Sequence, residues 1–326
     1  MNILIVKLSS LGDVVHTMPA VQDMRAQFPQ ARIDWVVERS FAGLAQRCQG
    51  VDKVIVCDLR GWRKALFAAQ TRSEWRAFRE DLHSQAYEAV IDLQGLTKSA
   101  LVSRMARLAP GGKRYALANQ TEDSGYEAPT RWVADVAFTF PSRTPVIERS
   151  RVMCARALGY AVPEDERFGL VSPVDAASGA IESGASRCVV LVHGTAGDDK
   201  RWPDEHWIEL GQRLLAGGWT VGLPHGSEEE RLRSERIAAA LGEGAAVWPR
   251  TNLGTVADRL AGCFGVVGVD TGLSHIAVAL DLPHVQIYMR NNAWRTEPVG
   301  RARQRAVWKP DVDTVWQLWL QVSAAP

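Results

Sequence analysis

Asp13 stands at the junction between an apolar run, MNILIV, with a short polar loop behind it, and a helical pattern that begins near Val14. A carboxylate there has two uses. It can cap the free amides of the helix start, or it can take the proton of an attacking hydroxyl. The helix dipole lowers a carboxylate's pKa and weakens it as a base, whereas desolvation beneath a bound substrate raises it again. Ser9 and Ser10 occupy the same loop, and Gly12 is expected to let the backbone turn sharply or approach a ligand closely.

Two further segments have the chemistry of an anion site. In HGTAGDDKRWP (193–203), Thr195 and Gly197 suit a loop that wraps an anion, Lys200 supplies a compact positive charge, and Pro203 suits the first turn of a following helix. In GVDTGLSH (268–275), a strand ends and a helix starts near Thr271, so the amides of Thr271, Gly272 and Leu273 are free for phosphate oxygens. Asp270 would repel a diphosphate and is expected to cap that helix; His275, one turn in, reads as core or ligand. In LPHGSEEE (223–230), the acids of the first helical turn complement the dipole, or Glu228 holds ribose hydroxyls.

RGWRKALFAAQTRSEWRAFR (60–79) carries Arg60, Arg63, Lys64, Arg72, Arg76 and Arg79 against Glu74, with aromatics interleaved. It can grip phosphates or lie on an anionic surface, or it is a solvated helical face. In DLQGLTKS (92–99), Gln94, Gly95 and Lys98 follow a strand and face the same cleft as Asp13, unless the segment is an ordinary strand–turn–helix.

Alternating elements must position these residues. Strand-like runs lie at Ile3–Val6, Ile33–Val37, Lys53–Val56, Ala89–Leu93, Cys188–Val192, Thr220–Leu223, Ala246–Trp248, Gly265–Val269 and Val285–Tyr288. Helical patterns fall between them at Val14–Gln27, Glu74–Gln85, Lys98–Ala106, Glu148–Leu158, Glu205–Ala216, Glu228–Leu241 and Thr255–Gly262. Continuously apolar strands alternating with helices predict parallel sheets covered on both faces. The pattern lapses between Tyr160 and Arg187 in a Pro-, Ser-, Gly- and Ala-rich stretch that reads as an interdomain connection. The expectation is an α/β chain with one Rossmann-like domain over 1–165, a second over 186–310, and a final helix in 311–326 that packs back on the first half.

The 326 residues carry a net charge of +1, 46% hydrophobic and 23% charged residues, which gives no global pull toward nucleic acid. Five cysteines without a C-x-x-C and histidines without ligand spacing disfavour a disulfide framework or a structural zinc site and fit a reducing cytosol. No signal-like or membrane-spanning stretch is apparent, so the expectation is a mature chain that starts at Met1. There is no G-x-G-x-x-G after the first strand, no P-loop, no G-x-S-x-G and no H-E-x-x-H, which disfavours nicotinamide, flavin, P-loop, esterase and zincin chemistry.

Together, ILIVKLSSLGDVVHTMPA, DWVVE (34–38), RGWRKA (60–65), VIDLQGLTKSAL (90–101), HGTAGDDKRWP and VDTGLSHIAVALDLP (269–283) resemble the bacterial lipopolysaccharide heptosyltransferases of glycosyltransferase family 9, in their Kdo-directed type I. The resemblance runs from Met1 to about Tyr288. It implies a GT-B fold, two Rossmann-like domains facing across a cleft. It implies inverting transfer of L-glycero-D-manno-heptose from ADP-heptose to Kdo of Kdo-lipid A, by a cytoplasmic protein peripheral on the inner membrane.

The resemblance puts the catalytic base on Asp13 and the donor site on Thr195, Lys200, Glu228, Asp270, Thr271, Gly272 and His275. It puts the basic acceptor segment on Arg60, Arg63 and Lys64, with Ser10 and Gln94 on the acceptor side. A diphosphate held by Lys200 and backbone amides requires no obligatory metal or other cofactor. The sequence departs from the family where Tyr288 is followed by MRNNAW rather than Y-G-P-T-x-P, and near Thr251, where a methionine that often approaches adenine is replaced. Two alternatives stay within the family: transfer of a second heptose, or transfer to a protein. A third, of another class, is a non-catalytic nucleotide-sugar binding protein.

Overall fold

The structure, a computed structural model, describes residues 1–65, 67–172, 187–298 and 301–325. The chain divides into two compact units, Met1–Leu170 and Val171–Pro326. Of the stretch read as an interdomain connection, 173–186 lies outside the described residues.

In the first unit, strands β1 (Asn2–Val6), β2 (Arg32–Glu38), β3 (Lys53–Cys57), β4 (Tyr87–Asp92), β5 (Leu108–Leu117) and β6 (Val136–Phe138) form one sheet in the order β3-β2-β1-β4-β5-β6. Every pairing is parallel. β1 is fully covered from Ile3 to Val6, as a central strand with helices on both faces must be.

The second unit repeats the plan. β7 (Cys188–Val192), β8 (Thr220–Leu223), β9 (Ala245–Val247), β10 (Gly265–Val269), β11 (His284–Tyr288) and β12 (Gln304–Trp308) order as β12-β11-β10-β7-β8-β9, all parallel. Each sheet therefore has the doubly wound Rossmann order, which reverses direction once: between β1 and β4 in the first unit, and between β7 and β10 in the second. Ligands of open α/β sheets bind beyond the carboxyl ends of the strands at that reversal.

Three strands were not anticipated. β5 (LAPGGKRYAL) carries Pro, two Gly and charges, β6 has three residues, and β12 (QRAVW) is short and half polar. Each lies toward a sheet edge, where pairing supplies what local pattern lacks.

The helix expected over Val14–Gln27 is two helices, α1 (Leu11–Val15) and α2 (Met18–Gln27). Pro19 explains the break: it has no amide hydrogen to continue a helix, but it fits the first turn of a new one. Gly12 lies inside α1, so it does not supply the sharp turn expected of it.

The last helix, Val312–Ala324, was expected to reach back to the first half. Its apolar stripe packs into the core of its own unit, through Val312, Val315, Trp319 and Val322. Trp319 is fully buried edge-on to Trp219 and Phe264. Covering a side chain of that size contributes roughly 2–3 kcal/mol, which fixes the helix where its apolar stripe is matched.

Candidate active site

Asp13 is the third residue of α1. Its Oδ2 accepts from the Ser10 amide at 3.1 Å and from Ser10 Oγ at 3.0 Å, a capping box. Its Oδ1 lies 3.8 Å from Lys7 Nζ. The side chain of Lys7 is 3% exposed and that of Asp13 19%. Asp13 therefore does cap the helix, and it still presents part of its carboxylate to solvent. Capping and base chemistry are compatible because capping occupies lone pairs of one oxygen only.

The loop that aims Asp13 is braced from the neighbouring strand end. Gln94 Oε1 accepts from the amides of Leu8 and Ser9, both at 3.0 Å, and Lys98 Nζ donates to Ser9 Oγ at 3.0 Å. Gln94, expected on the acceptor side, is thus first a clamp on the Asp13 loop. Lys7 Nζ donates to Leu93 O at 3.0 Å, and Trp35 Nε1 donates to Lys7 O at 3.1 Å.

Asp92, at the end of β4, takes the amides of Gln94 and Gly95 at 2.9 and 3.2 Å and the Ser99 hydroxyl at 2.9 Å. Burial pushes its carboxyl up to about 6, against the pull of those hydrogen bonds and of Lys7. Lys7 and Asp92 were not among the residues assigned to the site, whereas Lys98 was expected on the same cleft as Asp13. A lysine inside an apolar strand-to-loop run, MNILIVK, was the available signal for the first of them.

Arg60, Arg63 and Lys64 lie on the short helix Leu59–Lys64, all exposed. Asp58 caps this helix by accepting from the Gly61 amide at 2.9 Å, and a Cβ at Gly61 would come within 2.5 Å of that carboxylate. Of the interleaved aromatics, Phe67 is exposed among the charges and the other three are not part of that face. Trp62, Trp75 and Phe78 turn inward on one another, with Trp62 Nε1 donating to Glu74 Oε2 at 2.9 Å.

In the second unit, Asp270 directly follows β10 and Lys200 lies in a turn after β7. Lys200 Nζ is 2.7 Å from Asp270 Oδ2. Asn292 Nδ2 donates to the same oxygen at 3.1 Å, and His275 Nε2 lies 3.5 Å from Oδ1. Burial works to raise the Asp270 carboxyl, but His275 and Lys200 outweigh it and hold the group well below the usual range.

Asp270 was expected to cap the next helix. Thr271 occupies the N-cap of that helix (Gly272–Ala279), and the Asp270 carboxylate is committed to Lys200, His275 and Asn292. This resolves the repulsion problem: Asp270 is neutralised, and it orients an ammonium whose remaining two protons can meet phosphate oxygens. Gly268 allows the helix to close on the sheet, since a Cβ there would meet Ser274 Oγ at 2.4 Å and Val192 Cβ at 2.9 Å. Thr195 is nearly buried in the loop that carries Lys200.

Glu228 has a different partner. It is exposed in the first turn of Glu228–Leu241 and accepts from Arg231 Nε at 2.9 Å. Asn292 and Arg290, which pairs with Asp199, come from the MRNNAW segment where the family pattern is lost, and they tie that segment to Asp270 and to the Lys200 turn.

The chain also matches known proteins. The family model of glycosyltransferase family 9 (heptosyltransferase) matches residues 75–314. The chain is 39% identical over 306 residues to lipopolysaccharide heptosyltransferase 1 of Pseudomonas aeruginosa, covering 93% of this chain and 82% of the relative. It is 39% identical over 292 residues to that of Escherichia coli K12, covering 88% of each. The solved E. coli heptosyltransferase WaaC with ADP superposes with a TM-score of 0.86 at 34% identity, covering 99% of this chain and 100% of that one. The same enzyme with ADP-2-deoxy-2-fluoro heptose gives a TM-score of 0.81 at 35% identity, covering 97% and 98%. The fold class is α/β of the GT-B type, with two Rossmann-like domains.

Proposed function

We propose, from the premise that the chain belongs to glycosyltransferase family 9, the heptosyltransferases, that it moves L-glycero-D-manno-heptose from ADP-heptose to Kdo of Kdo-lipid A with inversion. The observation that carries this reading is the Asp13 carboxylate. It is held by Ser10 and Lys7 at the reversal point of the first sheet and remains partly open to solvent.

Asp13 accepts the proton of the Kdo hydroxyl as its oxygen attacks the anomeric carbon. The diphosphate leaves toward Lys200 and the amides that open the Gly272–Ala279 helix, which stabilise the charge it develops. Asp270, His275 and Asn292 hold Lys200 in place, and Thr195 lines the same loop. Glu228 takes the ribose hydroxyls in exchange for its surface contact with Arg231. Arg60, Arg63 and Lys64 pair with the phosphates and carboxylates of the acceptor, with Ser10 and Gln94 ordering the loop beneath it. None of these steps uses a metal. Water must be shut out at the moment of transfer, since it would hydrolyse the donor.

The exposed basic helix also suits the anionic lipid face on which such an acceptor is presented, and we assign the protein to the cytoplasmic face of the inner membrane as a peripheral enzyme. No helix among the described residues is long and apolar enough to cross a membrane.

Incubation with ADP-heptose and Kdo-lipid A, read by mass spectrometry, tests the proposal. One added heptosyl unit is the expected product. Addition only to an acceptor that already carries heptose, or only to a protein, would replace the Kdo-directed reading. Binding of ADP-heptose with neither transfer nor hydrolysis would leave a binding protein.

A further inference from the structure

Glu38 ends β2, between the Asp13 loop and the basic acceptor helix. Its amide donates to Leu8 O at 3.1 Å on one side, and on the other it stands in register with Cys57, one residue before Asp58. The residue is 4% exposed. It precedes the helix Arg39–Ala45, yet its carboxylate makes no capping bond to it. Oε1 is buried without a hydrogen-bond partner.

A carboxylate oxygen removed from water and left without a hydrogen-bond partner is costly, and native proteins rarely keep one without a use. The cations that act on it are Lys98, which holds Ser9, and Arg60 of the acceptor helix. Both belong to the surroundings of the proposed acceptor site, and neither donates a hydrogen bond to Oε1. Burial pushes the Glu38 carboxyl up in spite of them, with Asp58 adding to the rise.

We infer that Glu38 is a specificity-determining residue for the acceptor, its carboxylate accepting a hydrogen bond from a sugar hydroxyl bound between Asp13 and Arg60. This rests on the reading of the first unit as the acceptor side. The arrangement divides the work. Arg60, Arg63 and Lys64 attract the anionic groups of the acceptor but fix no hydroxyl, because phosphates and carboxylates can slide among several cations. An acid in their midst repels every anionic group and accepts only from a donor proton. It therefore orients the sugar ring so that the correct hydroxyl faces Asp13.

The test measures binding of a deacylated Kdo-lipid A acceptor by calorimetry in the absence of donor, alongside steady-state transfer, ADP affinity and thermal unfolding. It compares wild type, Glu38→Gln and Glu38→Ala. Loss of a hydrogen bond to a charged group predicts an acceptor Kd and KM raised at least about tenfold in both variants. The kcat at saturating acceptor should fall as well, because the bound ring no longer holds the correct hydroxyl toward Asp13, with ADP affinity unchanged.

Glu38→Gln should unfold at or above the wild-type temperature, because it removes an unpaired buried charge. An acceptor Kd within about twofold of wild type in Glu38→Gln overturns the inference. So does a loss of transfer matched by a fall in unfolding temperature, which would make Glu38 purely structural. If Glu38→Ala does not fold, Glu38→Gln decides. A wild type that binds the acceptor without transferring heptose would fail the proposed reaction, while the binding arm would still report on Glu38.

Discussion

Asp13 has two roles that can be separated by substitution. Asn at position 13 keeps an oxygen that accepts from the Ser10 amide, now at 3.1 Å, but it cannot take a proton at neutral pH. Ala removes both functions. Either change also removes the charge 3.8 Å from Lys7 Nζ. At an effective dielectric of about 20 that pair has a gross attraction of roughly 4 kcal/mol, most of it offset by desolvation. Because both variants lose the pair, its contribution cancels when they are compared, and the capping box remains. Its removal costs about 1 kcal/mol, or roughly 2–4 °C for a unit of this size. Asp13→Ala should therefore unfold about that much below Asp13→Asn. Removal of a positioned base lowers turnover by about 10²–10⁴-fold, and it should do so equally in both. Differential scanning fluorimetry and single-turnover heptose transfer give the two readouts, with ADP affinity as the control for an intact donor site. Asp13→Asn turning over within about threefold of wild type would refute the base assignment. A turnover loss in Asp13→Ala far larger than in Asp13→Asn would show that loop geometry, rather than proton acceptance, is what the residue supplies.

Two further outcomes follow from the second unit. Lys200→Ala leaves Asp270 buried with only His275 and Asn292, so it should destabilise by about 3 kcal/mol and weaken ADP at least about tenfold. The double variant Lys200→Ala/Asp270→Asn should regain most of the stability in thermal unfolding but none of the ADP affinity in calorimetry; recovery of both would show that Lys200 acts only through Asp270. His193, fully buried with Nε2 2.8 Å from Ser234 Oγ, is held neutral down to about 4 by burial, reinforced by Arg233. Its folded pKa lies below its unfolded value of about 6.5, so its contribution is complete above pH 6.5 and is lost as pH falls toward 4, by about 3 kcal/mol. The stability gap between wild type and His193→Gln should narrow across that window, and a gap that stays constant would rule out this titration.

What the sequence determined is what local pattern encodes. The apolar runs around the motif loops were strands, because continuous burial on two faces demands continuous apolarity. The loops that follow β1, β4, β7 and β10 carry Asp13, Gln94, Lys200 and Asp270, and the Ser, Gly, Lys and Asp in them were visible as chemistry without a fold. Even the break between α1 and α2 had its mark in Pro19. β5, β6 and β12, at or next to a sheet edge, left no such mark, since pairing there tolerates Gly, Pro and charge. The final helix was legible as a helix but not as a member of the second core, because an apolar stripe does not name the surface that covers it.

Tertiary structure alone decided the partners. Lys200 and Asp270 are 70 positions apart and meet at 2.7 Å because β7 and β10 are neighbours at the point where the sheet order reverses. The same reversal brings Gln94 onto the amides of Leu8 and Ser9 and sets Lys7 beside Asp13. It also separates roles the sequence had merged. Asp270 became the anchor of a lysine instead of a helix cap, and Asp13 turned out to be a cap that also pairs with Lys7 and keeps part of its carboxylate exposed. Residue type specifies which interactions a group can make, and strand order specifies which group is there to make them with.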